Sequence, residues 1–129
     1  MPTIFTKIVA GEIPCHRVWE DAEFLAFLDI RPVTAGHTLV IPKEEVGYLF
    51  DMEPAKYARL MEAARRVAVG LKRATGCVRV CVTVIGYEVP HVHIHLIPTM
   101  GLGEVPMPPQ RVGEVDMPAM AAKIAAALL

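Results

Sequence analysis

The stretch HVHIHLIP, from His91 to Pro98, is the most informative part of this 129-residue chain. Side chains alternate between the two faces of a β-strand, so His91, His93 and His95 are predicted to lie on one face. The apolar residues between them then point to the other face, where they can pack under a helix. Charged imidazoles about 7 Å apart repel one another, so three on one strand face are not a choice made for stability. The stretch therefore predicts a strand that carries a functional histidine cluster.

A second strand can bring a fourth imidazole into this cluster. His37 follows Gly36 and opens a β-branched run that Pro42 closes. If this strand lies beside the histidine strand, His37 joins the cluster; otherwise it is a strand-edge residue that caps a turn. Such a cluster suits two chemistries, and the spacing does not choose between them. Imidazoles from His91, His93 and His37 can ligate zinc, or the cluster can attack and stabilise a phosphate without metal.

Short strands recur along the chain and predict a mostly antiparallel sheet. Runs of apolar and β-branched residues bounded by Gly, Pro or charged residues are typical of strands. Only residues 86–90 separate the last two runs, and antiparallel pairing is the natural topology across so short a link. The five predicted strands span residues 17–20, 24–30, 37–41, 78–85 and 91–97.

Two helices complete the prediction. Over about residues 52–74 apolar side chains recur every three or four positions, which marks one face of a long amphipathic helix. Asp51 is the expected N-cap of this helix and Gly76 its expected C-terminal stop. A Gly- and Pro-rich loop over 99–115 leads to a short Ala-rich helix over 116–129, which starts at an Asp N-cap. Strands with one long helix on an antiparallel sheet predict an α+β fold.

Composition limits the classes of function. The length and the mass of 14.1 kDa fit a single domain over residues 1–129. The formal net charge is −1, which gives no electrostatic reason to expect binding to nucleic acid or to a membrane surface. Hydrophobic residues make up 53% of the chain, yet the apolar runs fall well short of the roughly 20 residues of a membrane span. The apolar excess hints at a self-association surface, although a filled core under a rather apolar surface explains it equally well.

The cellular compartment is expected to be the cytoplasm. The segment over residues 1–7 lacks the basic start and the long apolar core of a secretory signal. The cysteines are odd in number and show no metal-like spacing, which favours reduced thiols. They are Cys15, Cys77 and Cys81.

Several motifs resemble one protein family. Residues 91–97 match the His-φ-His-φ-His-φ-φ signature of the histidine triad (HIT) superfamily, where φ is apolar. FTKIVAGEIP at 5–14 resembles the F-x-K-I-x-x-G-E-I-P opening of its Hint-like branch. LAFLDIRP at 25–32 and GHTLVIPK at 36–43 resemble the segments that follow. The likeness covers a motif-bearing core at about residues 4–98 in unbroken order.

This resemblance implies a fold and an activity. It implies a small α+β domain that usually forms a homodimer with one continuous ten-stranded sheet. The implied activity is that of a nucleotidyl hydrolase or transferase on purine nucleotides with a substituted phosphate: a phosphoramidate, an acyl-adenylate or a dinucleoside polyphosphate. We expect no cofactor. We also expect no structural zinc, because the Cys-x-x-Cys of some bacterial members reads TIFT at 3–6 in this chain.

The resemblance also implies roles for the histidines. By motif position His93 resembles the nucleophile, which attacks the α-phosphorus and forms a nucleotidyl-histidine that water then hydrolyses. His95 is implied to contact the phosphate, while His91 and His37 orient and polarise the cluster. A neutral imidazole is available for attack at pH 7, since its reference pKa is about 6.5.

Three further residues are implied to contact the nucleoside, and a fourth departs from the family pattern. Asp29 resembles the acid that accepts hydrogen bonds from the ribose hydroxyls, although a turn carboxylate at a strand end also explains it. Phe27 and Ile30 are implied to flank the base, with core packing as the simpler explanation. Glu88 stands where the common pattern has a Ser that assists the leaving group. It is either a general acid, a carboxylate that favours a cationic leaving group such as an amine, or a solvent-facing loop residue.

Two other functions remain open from the sequence. The chain is either an enzyme of this type or a nucleotide-sensing or protein-interaction module whose catalysis is vestigial. A metal-dependent hydrolase that uses the histidine cluster as ligands is the second alternative. Chelation and adduct trapping distinguish these possibilities.

Overall fold

The computed structural model describes residues 2–105 and 112–128, and its centre is one five-stranded sheet. Every neighbouring pair of strands is antiparallel, in the order β1-β2-β3-β5-β4. The predicted α+β fold, with its long helix and short C-terminal helix, is therefore confirmed. The strands are β1 (Arg17–Glu20), β2 (Phe24–Leu28), β3 (Thr38–Pro42), β4 (Arg79–Thr83) and β5 (Ile94–Thr99), and the α-helices are α1 (Ile4–Val9), α2 (Pro54–Thr75) and α3 (Met117–Ala127).

The histidine strand lies inside the sheet, whereas β4 forms one of its edges. Strand β5 pairs with β3 on one side, where Leu39 lies opposite His95. It pairs with β4 on the other side, where Thr83 lies opposite the same residue. Two neighbouring strands therefore fix the direction in which the β5 side chains point.

The two faces of the sheet carry separate cores, as the alternation predicts. On one face α2 contributes Leu60 and Ala64, which pack against Val92, Ile94 and Leu96. On the other face α1 covers the strands. Buried side chains of α1, β2 and β3 form a second cluster there. That cluster consists of Phe5, Ile8, Leu25, Phe27, Leu39 and Ile41.

The start of the long helix differs from the prediction. Asp51 is not the N-cap, because it ends a short 3-10 turn over Leu49–Asp51. Glu53 is the N-cap, and its carboxylate accepts hydrogen bonds from the N–H groups of Ala55 and Lys56. The predicted stop is confirmed, since Gly76 takes a left-handed conformation with φ 69°.

The histidine strand also begins later than predicted. Its ladder starts at Ile94, three residues after His91. Pro42 of β3 has no N–H to donate, and the N–H of Val92 donates instead to the carbonyl of Val46 at 2.7 Å. The chain before Ile94 is therefore anchored by a loop rather than by the sheet ladder.

The two ends of the chain differ in packing. Helix α1, which the sequence did not predict, buries Phe5 and Ile8 against the sheet. Helix α3 starts at the predicted N-cap Asp116, and all of its described side chains are exposed. No helix in the described ranges is both long enough and apolar enough to cross a membrane. The other strand ends and the limits of α3 lie within two residues of the predicted bounds.

Candidate active site

Four histidines lie together on the face of the sheet that α1 covers. His37 and His91 are buried, His93 is 8% exposed, and His95 is half-buried. The ring centroids of His93 and His95 are 5.0 Å apart, and those of His37 and His95 are 5.2 Å apart. The alternation of β5 and its pairing with β3 bring these four imidazoles to one place.

Within the described part of the chain the ring of His93 makes one hydrogen bond, and this bond fixes the tautomer. The Nδ1 atom of His93 lies 2.7 Å from the carbonyl oxygen of His91. A carbonyl only accepts, so Nδ1 carries the proton and Nε2 of the neutral ring keeps its lone pair. The Phe5 ring packs on His93 with a centroid distance of 4.8 Å and limits rotation of the imidazole. The arrangement leaves Nε2 of His93 as an unprotonated nitrogen that can act as a nucleophile.

Both ring nitrogens of His91 are engaged by the protein. The Nε2–H group donates to the carbonyl of Pro42 at 2.8 Å, and Nδ1 lies 2.9 Å from the hydroxyl of Thr3. Burial lowers the pKa of His91, against the opposing effects of the Pro42 carbonyl and Glu45. The His91 ring is therefore neutral near pH 7 and accepts the Thr3 hydroxyl proton at Nδ1. His91 contributes to the site through its own backbone carbonyl, which orients His93.

The other two imidazoles, those of His37 and His95, are joined by a hydrogen bond between their side chains. The Val33 N–H donates to Nδ1 of His37 at 3.0 Å, so neutral His37 carries its proton at Nε2. That proton points to Nδ1 of His95, 2.9 Å away. His95 then carries its own proton at Nε2. The ring of His95 can offer this N–H to a bound oxygen.

The environment keeps this second pair neutral near pH 7. Burial lowers the pKa of His37, and the charge of Asp29 acts in the opposite direction. For His95, burial and the nearby His93 and His37 rings lower the pKa to about 4, with Asp29 again opposing. His95 is therefore a hydrogen-bond donor that does not need to be charged.

Asp29 lies at the edge of this pair and also orders the chain. One carboxylate oxygen accepts the Arg31 N–H at 2.8 Å, while the other lies 3.6 Å from Nε2 of His37. Its own backbone N–H donates to the His37 carbonyl at 2.9 Å, which joins the end of β2 to the start of β3. Asp29 therefore has the turn role that the sequence suggests, together with a half-buried oxygen beside the histidines.

The hydrogen bonds oppose the use of these histidines as metal ligands. Ligand atoms of Asp29, His37 and His95 all lie within 4.8 Å of one another, a set different from the one the sequence suggests. A metal on Nε2 of His37 would leave that ring's proton on Nδ1, directly facing the Val33 N–H. Both nitrogens of His91 are engaged as well. The donor pattern fits proton-bearing imidazoles better than it fits a metal centre.

Three predicted contact residues lie in different surroundings. Phe27 is 3% exposed and packs on Phe5 with ring centroids 5.8 Å apart, so it belongs to the core of the α1 face. Ile30 is 80% exposed beyond the end of β2. Glu88 is exposed in the loop before His91, and no hydrogen bond or ion pair links it to another described residue.

The sequence did not indicate three polar residues that contact the site. Thr3 is the N-cap of α1 and Thr6 lies in its first turn, on either side of Phe5, while Glu45 lies in the loop after β3. The only signal was the position of the two threonines, where some bacterial members of the family have cysteines. Glu45 gave no signal, because its partners are 39 and 42 positions away in the chain.

Comparison with known proteins identifies the class. Residues 10–102 match the family model of the HIT domain. An uncharacterized HIT-like protein of Borreliella burgdorferi is 39% identical over 102 residues, which cover 74% of this chain and 73% of that protein. The adenosine 5'-monophosphoramidase of Schizosaccharomyces pombe is 38% identical over 99 residues, covering 76% of this chain and 74% of that enzyme.

A solved structure extends the likeness beyond the motifs. The crystal structure of a HIT-family member from Bacillus subtilis superposes with a TM-score of 0.83 and 30% identity, over 98% of this chain and 96% of that one. The chain belongs to the HIT family. The membership predicted from the histidine motif is thereby confirmed.

Proposed function

We propose that this protein is a nucleotide hydrolase or transferase that cleaves a substituted nucleoside phosphate at the α-phosphorus. The observation that carries the proposal is the 2.7 Å hydrogen bond from Nδ1–H of His93 to the His91 carbonyl, which leaves Nε2 free to attack. The similarity to an adenosine 5'-monophosphoramidase supports a purine nucleoside phosphoramidate as the substrate class. Acyl-adenylates and dinucleoside polyphosphates belong to the same class of reaction.

The reaction proceeds in two displacements at phosphorus. The Nε2 lone pair of His93 forms a bond to the α-phosphorus, and the bond from phosphorus to the leaving group breaks. The leaving group departs with that electron pair and takes up a proton, while the positive charge on the His93 ring faces the His91 carbonyl. Water then attacks phosphorus, the bond to Nε2 breaks, and the released proton passes to solvent. The products are the nucleoside monophosphate and the free amine or alcohol.

The second histidine pair stabilises charge on the phosphate. His95 donates its Nε2–H to a non-bridging oxygen, and His37 supplies the proton that holds His95 in this tautomer. Hydrogen-bond donors aimed at such oxygens stabilise the transition state without any change in their own protonation.

Asp29, Ile30 and Phe27 are proposed to bind the nucleoside. Asp29 accepts from the ribose hydroxyls with the oxygen that Arg31 does not use. The exposed side chain of Ile30 contacts the base, and buried Phe27 supports this surface from below. Replacing Asp29 with Asn is expected to raise KM for the ribonucleotide by about 10-fold and to leave KM for a 2',3'-dideoxy analogue unchanged. Equal KM changes for both substrates would show that Asp29 acts only through its turn.

Glu88 is proposed to assist an amine leaving group as a general acid. It lies in the loop before His91, where the common pattern of the family has a Ser. The variant Glu88→Gln is expected to slow release of an amine several-fold and to change alcohol release little, because an amine needs the proton more. Glu12→Gln, at another exposed loop glutamate, is the matched control. Unchanged rates with both leaving groups would remove Glu88 from the mechanism.

The proposed assembly is a homodimer in the cytoplasm that joins two sheets at β4. Val78 and Val82 on this edge are each 55% exposed, Ile85 is 62% exposed, and Val69 of α2 is 40% exposed. A continuous sheet would cover these apolar side chains and pair the free edge of β4. Sedimentation equilibrium tests the assembly, and a monomer at micromolar concentration contradicts it.

Trapping the covalent intermediate tests the proposed function directly. The protein is mixed with an adenosine 5'-phosphoramidate, quenched with acid and analysed by mass spectrometry. We expect a nucleotidyl adduct on His93 that is absent in His93→Ala, while His16→Ala, at an exposed loop histidine, forms it normally. Full turnover by His93→Ala would contradict the proposal.

Two further outcomes identify the alternatives. Activity that EDTA abolishes and zinc restores would establish a metal-dependent hydrolase. Tight nucleotide binding with neither adduct nor product would indicate a sensing or interaction module.

A further inference from the structure

A cluster of polar side chains links helix α1 to His91, whose carbonyl orients His93. It consists of Thr3, Thr6, Glu45 and His91, and we call it the N-terminal clamp. The clamp joins segments that lie 39 to 88 positions apart in the chain. None of its side chains has a part in the phosphate chemistry proposed above, except through the His91 carbonyl.

The directions of the hydrogen bonds in the clamp follow from its acceptors. The Glu45 carboxylate only accepts, so it receives the Thr3 N–H at 2.9 Å and the Thr6 hydroxyl at 2.6 Å on the same oxygen. These bonds, with that from Thr6 first, lower the pKa of Glu45 and keep it ionised at neutral pH. The hydroxyl proton of Thr6 is therefore used in its hydrogen bond to Glu45. The Thr3 hydroxyl proton is left for Nδ1 of His91, 2.9 Å away.

The clamp continues through His91 to the nucleophile. Because Nδ1 of His91 accepts from Thr3, the ring keeps its proton at Nε2 and donates it to the Pro42 carbonyl. Both ends of the ring are then fixed, and with them the backbone carbonyl that accepts from His93 at 2.7 Å. Phe5, between the two threonines, packs its ring on both His91 and His93, with centroid distances of 5.7 and 4.8 Å.

We propose that Thr3, Thr6 and Glu45 are positioning residues, which hold His91 so that its carbonyl keeps His93 in the attacking tautomer. The inference rests on the proposed function for its catalytic consequence, but the tautomer itself is a property of the free protein. Without the Thr3 hydroxyl, Nδ1 of buried His91 keeps only a longer 3.5 Å contact with the Thr6 hydroxyl, whose proton goes to Glu45. The ring then turns or takes up a proton. The carbonyl then shifts, and the proton of His93 is no longer confined to Nδ1.

Four variants separate positioning from simple stabilisation of α1. Thr3→Val removes the donor to His91 and keeps the shape of the side chain, while Thr3→Ser restores the hydroxyl. Glu45→Gln replaces the ionised acceptor of the clamp with a neutral amide. Glu44→Gln, next to it in the chain, is the matched control, because Glu44 pairs with Lys56 outside the clamp.

The first measurement is nitrogen NMR of the imidazoles in the free protein, where protonated and unprotonated ring nitrogens differ strongly in chemical shift. We expect His93 of the wild type, Thr3→Ser and Glu44→Gln to show a single tautomer with the proton at Nδ1. In Thr3→Val the His93 shifts are expected to move toward a mixture of both tautomers, with a smaller shift in Glu45→Gln.

The second measurement is the rate of nucleotidylation with an adenosine 5'-phosphoramidate. Partners that orient a metal-ligating imidazole are commonly worth 10- to 100-fold in activity. By analogy we expect kcat of Thr3→Val to fall by about 10- to 100-fold, with KM within about threefold. Glu45→Gln is expected to lose about 3- to 10-fold, since the Thr3 donor is still present but less well fixed. Thr3→Ser is expected to recover most of the rate.

The results distinguish failure of this inference from failure of the proposed function. A folded Thr3→Val with unchanged His93 shifts and unchanged kcat would overturn the inference, even if it unfolds more easily. Should Thr3→Val fail to fold, Glu45→Gln decides in its place by the same two measurements. An inactive wild type would overturn the proposed function, whereas the NMR shifts would still support or overturn the effect of the clamp on His93.

Discussion

The two pairs of histidines in the site are held in opposite ways. In the backbone-held pair, His91 and His93 each donate a ring proton to a carbonyl, those of Pro42 and His91. In the side-chain-held pair, His37 donates to His95, and the pair borders Asp29. In the proposed function, the first pair leaves the Nε2 lone pair of His93 facing the substrate, while the second directs the Nε2–H of His95 toward it. Identical side chains are thus proposed to supply a nucleophile and a hydrogen-bond donor, and the difference between them lies in their hydrogen-bond partners.

Removing the nucleophile tests the backbone-held pair and is expected to have the largest effect. His93→Ala should lower kcat/KM for an adenosine 5'-phosphoramidate by about 10⁴-fold or more, because no other group forms the bond to phosphorus. The double variant His93→Ala/His95→Ala should be no slower than the single one, since residues that act as a unit are not additive. Steady-state kinetics measure both, and additive losses would contradict the division of roles.

The side-chain-held pair is expected to contribute less. His95→Ala removes one donor to the phosphate and should lower kcat by about 10² to 10³-fold, with a smaller change in KM. His37→Ala acts only through His95 and should cost about 10-fold. Single-turnover rates with the same substrate measure both losses. If His37→Ala were as slow as His93→Ala, His37 would belong to the bond-forming step and the comparison would fail.

The last prediction concerns the pH dependence of stability, and it involves both pairs. Burial lowers the pKa of His37, His91 and His95 from 6.5, in the last case to about 4. Between about pH 6.5 and pH 4 the unfolded chain therefore binds more protons than the folded one. The free energy of unfolding should fall as the pH falls through this window, by at most about 1.4 kcal/mol per pH unit for each histidine.

Urea denaturation at a series of pH values measures this slope. The variant His95→Gln should show a shallower loss than the wild type over the same window, because it has lost one of the titrating groups. Identical slopes in the two proteins would mean that His95 titrates normally in the folded state.

The sequence predicts which side chains share a face of the sheet, but it does not predict the hydrogen bonds of the histidine rings. Alternation alone placed His91, His93 and His95 on one side, since the period of a strand is fixed by its geometry. His37 needed one further condition, the pairing of β3 with β5, which the register of Leu39 with His95 meets. The choice of proton on each ring could not be predicted, because it depends on carbonyls and N–H groups from distant segments.

The elements that sequence reasoning missed are short or held by distant contacts. Helix α1 has only six residues, too few for a helical period to be recognised. Thr3 and Thr6 form a capping box with each other, whereas the usual capping-box sequence has a Glu or Gln at N3, the position of Thr6. Glu53 took the place of Asp51 as N-cap because Asp51 was already part of a 3-10 turn, a feature with little sequence signal.

The lowered pKa values of His37, His91 and His95 have a consequence for product release. An anion-binding site built from Lys or Arg holds its product by Coulomb attraction, and that attraction weakens as salt is added. In the proposed reaction the imidazoles that donate to the phosphate are neutral at pH 7, so the departing monophosphate would leave a site with little positive charge to retain it. Inhibition by the nucleoside monophosphate should accordingly be weak and almost independent of ionic strength, and the cycle would turn over without trapping its own product.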